Sequence, residues 1–261
     1  MRALSRPHLT AMTRPVRPDH THASCYRAQW NGTLVRSRVF DALSLLLPAG
    51  ETFMIASIET WREQTKRALS PRLIAEVDRF VREEKAHRRA HERYNETLIA
   101  DQPHAANVAS RASRVTDDLA GLDLTMRLAL VAAFEHLTAL LSHEIVEHRS
   151  LLVHDDSPES RMWRWHAAEE LGHCEVAMEA TAQCRVSRAR LTLALVLATG
   201  FLMYDVVRFT FALCRCDIAN GASRLAIAAD MCHFVIGSLP SLTRMARGWW
   251  RYILTPSVDL R

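Results

Sequence analysis

Apolar residues recur at steps of three and four along most of this chain, and no stretch alternates apolar with polar residues as a half-buried strand would. The pattern predicts an all-α protein. Ser70 followed by Pro71 reads as an N-cap with proline at the first helical position, and Leu73, Val77, Phe80 and Val81 then form a stripe on one face. Ser157 and Pro158 open a second such helix, which the spacing carries on to Cys184. Between them, the segment containing "DLTMRLALVAAFEHLTALLSHEIVEH" is periodic and apolar from Leu122 to Val146. Upstream, Pro48 and Gly50 place a helix start near Glu51, with the helix running to Leu69. Two further helices fall near 187–218 and 222–248, with Pro240 kinking or ending the second. The expected architecture is a bundle of four central helices with additional C-terminal ones.

Polar residues inside these apolar patterns carry the chemistry. Glu84 and His87 form a Glu-x-x-His pair, and Glu170 and His173 form another. On a helix, positions i and i+3 lie about 60° apart, so each carboxylate points the same way as its imidazole. Glu135 interrupts the apolar run "LVAAFEHLTALL", and Glu51 opens the first predicted helix. An unpaired carboxylate at such a position is costly unless it is protonated, paired or bound to a cation. Two Glu-x-x-His pairs plus one Glu from each of two other helices is the donor set of a dinuclear metal site in a helical bundle. His91 lies one turn beyond His87 and is a possible further ligand. Glu83 and Glu169 lie off the main face and suit the role of carboxylates that hold ligating imidazoles. His136 points toward a neighbouring helix, Cys174 looks away from the pair, and Tyr94, Tyr204, Trp163 and Trp165 read as packing residues. "HEIVEH" at 143–148 misses the HExxH zinc motif by one residue and reads as an exposed helix end.

The blocks "LSLLLPAGETFMI", "EEKAHRRAHERYNE", "FEHLTA" and "WHAAEELGHCEVA" resemble those of the bacterial family described as predicted metal-dependent hydrolases, over roughly residues 40–185. The ligand order is similar to that of ferritin-like di-iron oxygenases of the p-aminobenzoate N-oxygenase type. That resemblance implies a ferritin-like four-helix core. It also implies a third histidine four residues before the second Glu-x-x-His, where His166 stands. The expected metal ligands are then Glu51, Glu84, His87, Glu135, His166, Glu170 and His173, with His91 as a possible addition.

Carboxylates mixed with imidazoles suit iron or manganese better than a structural zinc, which favours thiolates. The leading expectation is a di-iron monooxygenase with two iron ions (manganese or zinc as alternatives) and O₂ as co-substrate, acting on a small organic molecule. The sequence has no P-loop or glycine-rich nucleotide loop, so a ferredoxin or reductase would supply electrons. The alternatives are a dinuclear hydrolase and a non-catalytic iron-binding bundle.

Charge and composition alter this picture little. The formal net charge is +4, and residues 1–30 hold five arginines against Asp19, which defines a basic tail ahead of a single helical metal-binding domain at 31–261. A basic tail on a neutral body does not indicate a nucleic-acid partner. Six cysteines without a CxxC pair fit reduced thiols and a cytoplasmic protein. Residues 191–204, "LTLALVLATGFLMY", are apolar but shorter than the ~20 residues a membrane span needs, so a buried core helix is expected there, without membrane contact. A homodimer is compatible with the bundle.

Overall fold

The computed structural model describes residues 28–65 and 69–254. The basic tail falls outside them except at its end, where Trp30 is buried and donates from Nε1 to Asp41. Among the described residues there are eight helices and no strand. They are α1 (Leu34–Thr65), α2 (Pro71–Asp101), α3 (Ala105–Ala120), α4 (Leu124–Val146), α5 (Pro158–Glu170), α6 (Cys174–Gln183), α7 (Arg188–Ala219) and α8 (Arg224–Leu254).

The core is a helical bundle in which α1 packs on α2, α4 on α5 and α6, and the two pairs meet through α1–α4 and through α2 with α5 and α6. Helix α7 lies across α1 and α4, and α3 covers another flank of α1. Buried Phe53, Ile58, Trp61, Val77, Phe80, Leu128 and Val131 fill one half of the bundle, while Phe40, Met162, Trp163 and Trp165 fill the other.

The capping signals act as the sequence predicts. The hydroxyl of Ser70 accepts from the Leu73 amide and Ser157 from Ser160, each satisfying a first-turn donor, and the structure adds a third cap beyond the two expected, Ser187 accepting from Arg190. The two internal prolines do not end helices. Helix α1 begins at Leu34, seventeen residues ahead of Glu51, and runs through Pro48 and Gly50. Proline lacks the N–H that would bond the carbonyl four residues earlier. Here that carbonyl belongs to Ser44, and the side-chain amide of Asn95 on α2 donates to it at 2.8 Å. Helix α8 likewise continues past Pro240 to Leu254. The carbonyl freed there belongs to Ile236, which is exposed to water.

Two other departures have equally local causes. Helix α3 escapes pattern reading because its buried stripe is only Ala105, Val108 and Ala112. The helix expected to run from Ser157 to Cys184 breaks after Glu170, where the Gly172 amide bonds Glu169 O and the His173 amide bonds Glu170 O. These three-residue steps are tighter than α-helical ones, and they bring i and i+3 side chains closer to eclipsed. The break therefore aligns Glu170 with His173 better than an unbroken helix would.

A buried ionic knot ties α7 to α1. Arg38 donates to Asp217 at 2.7 and 2.6 Å and to Asp41 at 2.8 Å. Asp41 also accepts from the Tyr94 hydroxyl, so Tyr94 belongs to this knot and not to the cluster of acids and histidines. The "HEIVEH" run is only partly an exposed end, since Glu144 is buried and takes two bonds from Arg244 of α8. Near this anchor, a Cβ added at Gly248 would stand 2.3 Å from Leu140 Cδ2 of α4, so the helices approach closely there. Gly248→Val, which sets a branched side chain against Leu140 without alanine's full gain in helix propensity, is expected to destabilise the protein by roughly 1–3 kcal/mol, read as a lower urea midpoint. A midpoint equal to or above the parent's would show that α8 does not pack on α4 in this way.

Candidate metal centre

All seven expected ligands and His91 converge in the bundle interior, none more than 4% exposed. Helix α1 brings Glu51, α2 brings Glu84, His87 and His91, α4 brings Glu135, α5 brings His166 and Glu170, and the tightened turn brings His173. Two groups form. Glu84, His87, Glu170 and His173 offer donor atoms all within 4.8 Å of one another, and so do Glu51, His91 and His166. Glu135 stands outside both groups, with Oε2 at 4.0 Å from Nδ1 of His173.

Nδ1 of His173 is 2.8 Å from Glu84 Oε1 and 3.3 Å from Glu170 Oε1, and Nδ1 of His87 is 3.2 Å from the same Glu170 oxygen. The opposite ring nitrogens face outward to a second pair of carboxylates. His87 Nε2 meets Glu169 Oε2 at 3.1 Å, and His173 Nε2 meets Glu83 Oε2 at 3.2 Å. The acid next to each Glu-x-x-His pair thus holds the histidine of the other pair. Such outer carboxylates fix the ring and direct its inner nitrogen toward the centre.

The third histidine is fixed by a chain of hydrogen bonds that no sequence motif announces. Asn95 donates from Nδ2 to the Ser44 carbonyl, so its Oδ1 is left to accept from the Ser44 hydroxyl at 2.7 Å. With its proton so engaged, Ser44 Oγ accepts from His91 Nδ1 at 2.8 Å. His91 Nε2 then accepts from His166 Nδ1 at 2.7 Å. His91 is held neutral by burial and by the neighbouring His166 and His87 rings, which push its pKa well below the usual histidine value. The bare Nε2 of His166 is therefore turned toward Glu170 Oε1, 3.2 Å away. A lone pair facing a carboxylate is unfavourable unless a cation lies between them. His91, with both nitrogens engaged, positions His166.

Electrostatics give the same answer. Both carboxylate oxygens of Glu51, Glu84 and Glu135, and Nδ1 of His87 and His173, are buried and make no aligned hydrogen bond among the described residues, although Glu84 and both Nδ1 atoms lie within ion-pair distance of one another or of Glu170. Burial raises the pKa of Glu51 and Glu135 well above the usual carboxylate range, and neighbouring Glu84 and Glu170 add to the rise. Burial alone would lower His87 and His173. The surrounding carboxylates outweigh it, Glu169 first for His87 and Glu170 first for His173, and hold both well above the ordinary value. Burial likewise opposes ionisation of Glu170, but the charge and hydrogen bonding of His173, with His87 beside it, hold its pKa well below the usual range. Protons thus occupy the centre where divalent ions would balance the four inner acids. The donor set fits metal, and it contains no thiolate. The Cys174 thiol donates to the Glu135 carbonyl at 3.1 Å, and burial raises its pKa.

Aromatic rings wall the cluster. Trp165 packs edge-on to His87 with centroids 5.0 Å apart, Trp163 to His91 at 4.9 Å and Phe80 to His173 at 5.1 Å. Thr138 donates to Glu170 Oε2 at 2.7 Å. His136 turns away and packs at a tilt against Tyr252, its pKa lowered to about 4 by burial. Tyr204 is exposed on α7.

A family model described as predicted metal-dependent hydrolase matches residues 13–256. The chain belongs to that family. Its membership extends over α7 and α8, beyond the blocks at 40–185 that carry the resemblance. Among curated proteins and among solved structures there is no match. The metal dependence in the family's description and the buried Glu/His cluster agree on a metal cofactor.

Two outcomes are expected. Groups with raised pKa bind protons more tightly folded than unfolded, so their stabilisation is lost as pH rises through the folded value. For His87 and His173, raised above the ordinary histidine value of 6.5, that loss comes as pH rises past 6.5, and Glu51 and Glu135, raised above the ordinary 4.5, add theirs from that value upward. The Tm of the metal-free protein should therefore fall as pH rises above 6.5, while the Tm gain on adding metal grows, because metal displaces those protons. A Tm gain independent of pH would contradict this. Separately, His91→Ala should weaken metal binding by about 10- to 100-fold in a chelator competition, with a smaller loss in Ser44→Ala. Parental affinity in both variants would remove His91 from any positioning role.

Proposed function

We propose that this family member is an O₂-dependent oxygenase that uses a dinuclear carboxylate–histidine centre, with iron as the native metal, on a small organic substrate. The observation that carries the reading is the donor set itself: four inner glutamates and three imidazoles, without a thiolate, enclosed in a helical bundle. Four carboxylates balance the charge of two divalent ions, and the neutral imidazoles complete their coordination. The order of these donors along the chain supports a ferritin-like core. Bound there, two ions would supply a redox couple able to reduce O₂.

The chain's own residues set the conditions for that chemistry. Glu51, Glu84, Glu135 and Glu170 with His87, His166 and His173 would hold the metals. Glu83, Glu169 and His91 orient the three rings, and Thr138 orients Glu170. Trp163, Trp165 and Phe80 exclude bulk water, which limits side reactions of a strong oxidant. Insertion of one oxygen atom with release of the other as water consumes two electrons and two protons. A separate ferredoxin or reductase is the proposed donor, and the proposed setting is the cytoplasm.

A second reading, hydrolysis, is favoured by the family's description as metal-dependent hydrolases. In that case the two ions would activate a water molecule and clamp a hydrolysable substrate. Anaerobic loading with Fe(II) followed by rapid mixing with O₂ separates the two. Oxygenase chemistry predicts about two iron ions per chain, stoichiometric O₂ uptake and a transient visible absorption, with the transient's rate lowered at least about 100-fold in Glu135→Gln and His173→Ala. Zinc or manganese binding with no response to O₂, together with turnover of chromogenic esters, would establish the hydrolase. Less than one ion per chain under all loading conditions would defeat both.

A further inference from the structure

Helix α8 is inverted over its middle turns. Of its 31 residues, Ile227, Ser238, Ser241 and Tyr252 are buried, so serines face the protein while Ile236, Leu239 and Leu242 face out. Ser241 meets Ser150 at 3.1 Å and Arg244 bonds Glu144, so the middle of the inward face is held by polar contacts, while Ile227, Phe234, Trp249 and Tyr252 pack inward on either side. Helix α7 is also greasy on its outer side, where Leu193, Leu197, Tyr204 and Phe211 are exposed at helical spacing. The expectation of a buried core helix at 191–204 holds for its inner face alone, through Leu191, Ala194, Leu195 and Ala198. Of the sixteen large hydrophobic residues exposed among the described residues, fourteen lie on α7 and α8. Clustering of that kind marks an interaction surface.

Charge decides what covers it. Residues 185–254 contain nine arginines, no lysine or glutamate, and three aspartates. All three aspartates are committed inside the protein: Asp205 to Arg111, Asp217 to Arg38, and Asp230 to the Val35 amide. By contrast, Arg185, Arg208, Arg215, Arg224, Arg247 and Arg251 are exposed and ion-pair with no acid among the described residues. A second copy laid on this flank would bring arginine against arginine, with no free acid on α7 or α8 to answer it. An anionic bilayer answers both features, with phosphates for the arginines and acyl chains for the apolar faces. Trp250, 56% exposed and flanked by Arg247 and Arg251, is the residue type that settles at a headgroup boundary. Four helices are long and apolar enough to cross a membrane by length and composition, and α7 and α8 are the two least buried.

We infer that the α7/α8 flank docks this protein onto a bilayer containing anionic phospholipid. This goes beyond the metal centre and does not rest on which reaction it performs.

Flotation of the full chain with preformed vesicles tests it. Vesicles of phosphatidylcholine with phosphatidylglycerol should capture the protein, in a salt-sensitive manner and with a blue shift of tryptophan emission, while pure phosphatidylcholine should not. Arg247→Gln with Arg251→Gln should reduce partitioning about 30-fold, from about one kcal/mol for each charge. Ile236→Asp with Leu239→Asp should reduce it at least about 10-fold. These positions are exposed, so parental circular dichroism is expected in both variants. Equal partitioning into both vesicle types, or none into either, overturns the inference. So does a dimer in analytical ultracentrifugation that Ile236→Asp with Leu239→Asp dissociates and that does not float with lipid.

Discussion

Four glutamate side chains share the interior of one small bundle, and their mutual repulsion is the constraint around which the rest is organised. Carboxylates buried without hydrogen-bond donors are among the costliest groups a fold can carry. Glu51 and Glu135 answer by holding protons, and Glu170 by drawing charge onto His87 and His173. Protonation leaves several inner oxygens unpartnered, so protons balance the charge without filling the coordination space. A pair of divalent cations would do both.

The helices bend to that demand. Pro48 in α1 frees the Ser44 carbonyl, Asn95 occupies it, and the same Ser44–Asn95 pair then sets the tautomer of His91 and, through it, of His166. A helix defect on one side of the bundle thus determines which nitrogen a histidine presents on the other. The tightened turn after Glu170 does similar service for His173. The crossed grips of Glu83 on His173 and Glu169 on His87 join α2 to the α5–α6 segment through the imidazoles themselves. Loss of one outer acid would therefore loosen both a ring and a helix contact.

Outside the bundle the same chain spends its apolar residues differently. Helix α7 divides its surface between core and exterior, and α8 gives its best hydrophobic residues to the exterior while Glu144 and Ser150 secure its polar side. A helix arranged so does not contribute much core, which leaves the interior helices to supply it. The metal centre and the apolar flank are built from different elements, which meet where α7 packs on α1 and α4.

Helix type, the caps at Ser70 and Ser157, and the order Glu51, Glu84–His87, Glu135, Glu170–His173 were legible in the residues alone. Each rests on interactions within a few positions or on a strong clash between an acid and an apolar pattern. Glu83 and Glu169 were visible as outer carboxylates for the same reason, being one position off the ligand face. Which histidine each one holds was not, because the pairing crosses between helices about eighty residues apart in sequence. The start of α1, the short stripe of α3 and the break at 171–173 also lay beyond pattern reading. Proline tolerance depends on a donor from another helix, alanine stripes carry little signal, and a tightened turn keeps an α-like spacing. The direction of the α8 faces needed the tertiary structure too, since periodicity marks an apolar stripe but not whether protein or solvent lies against it.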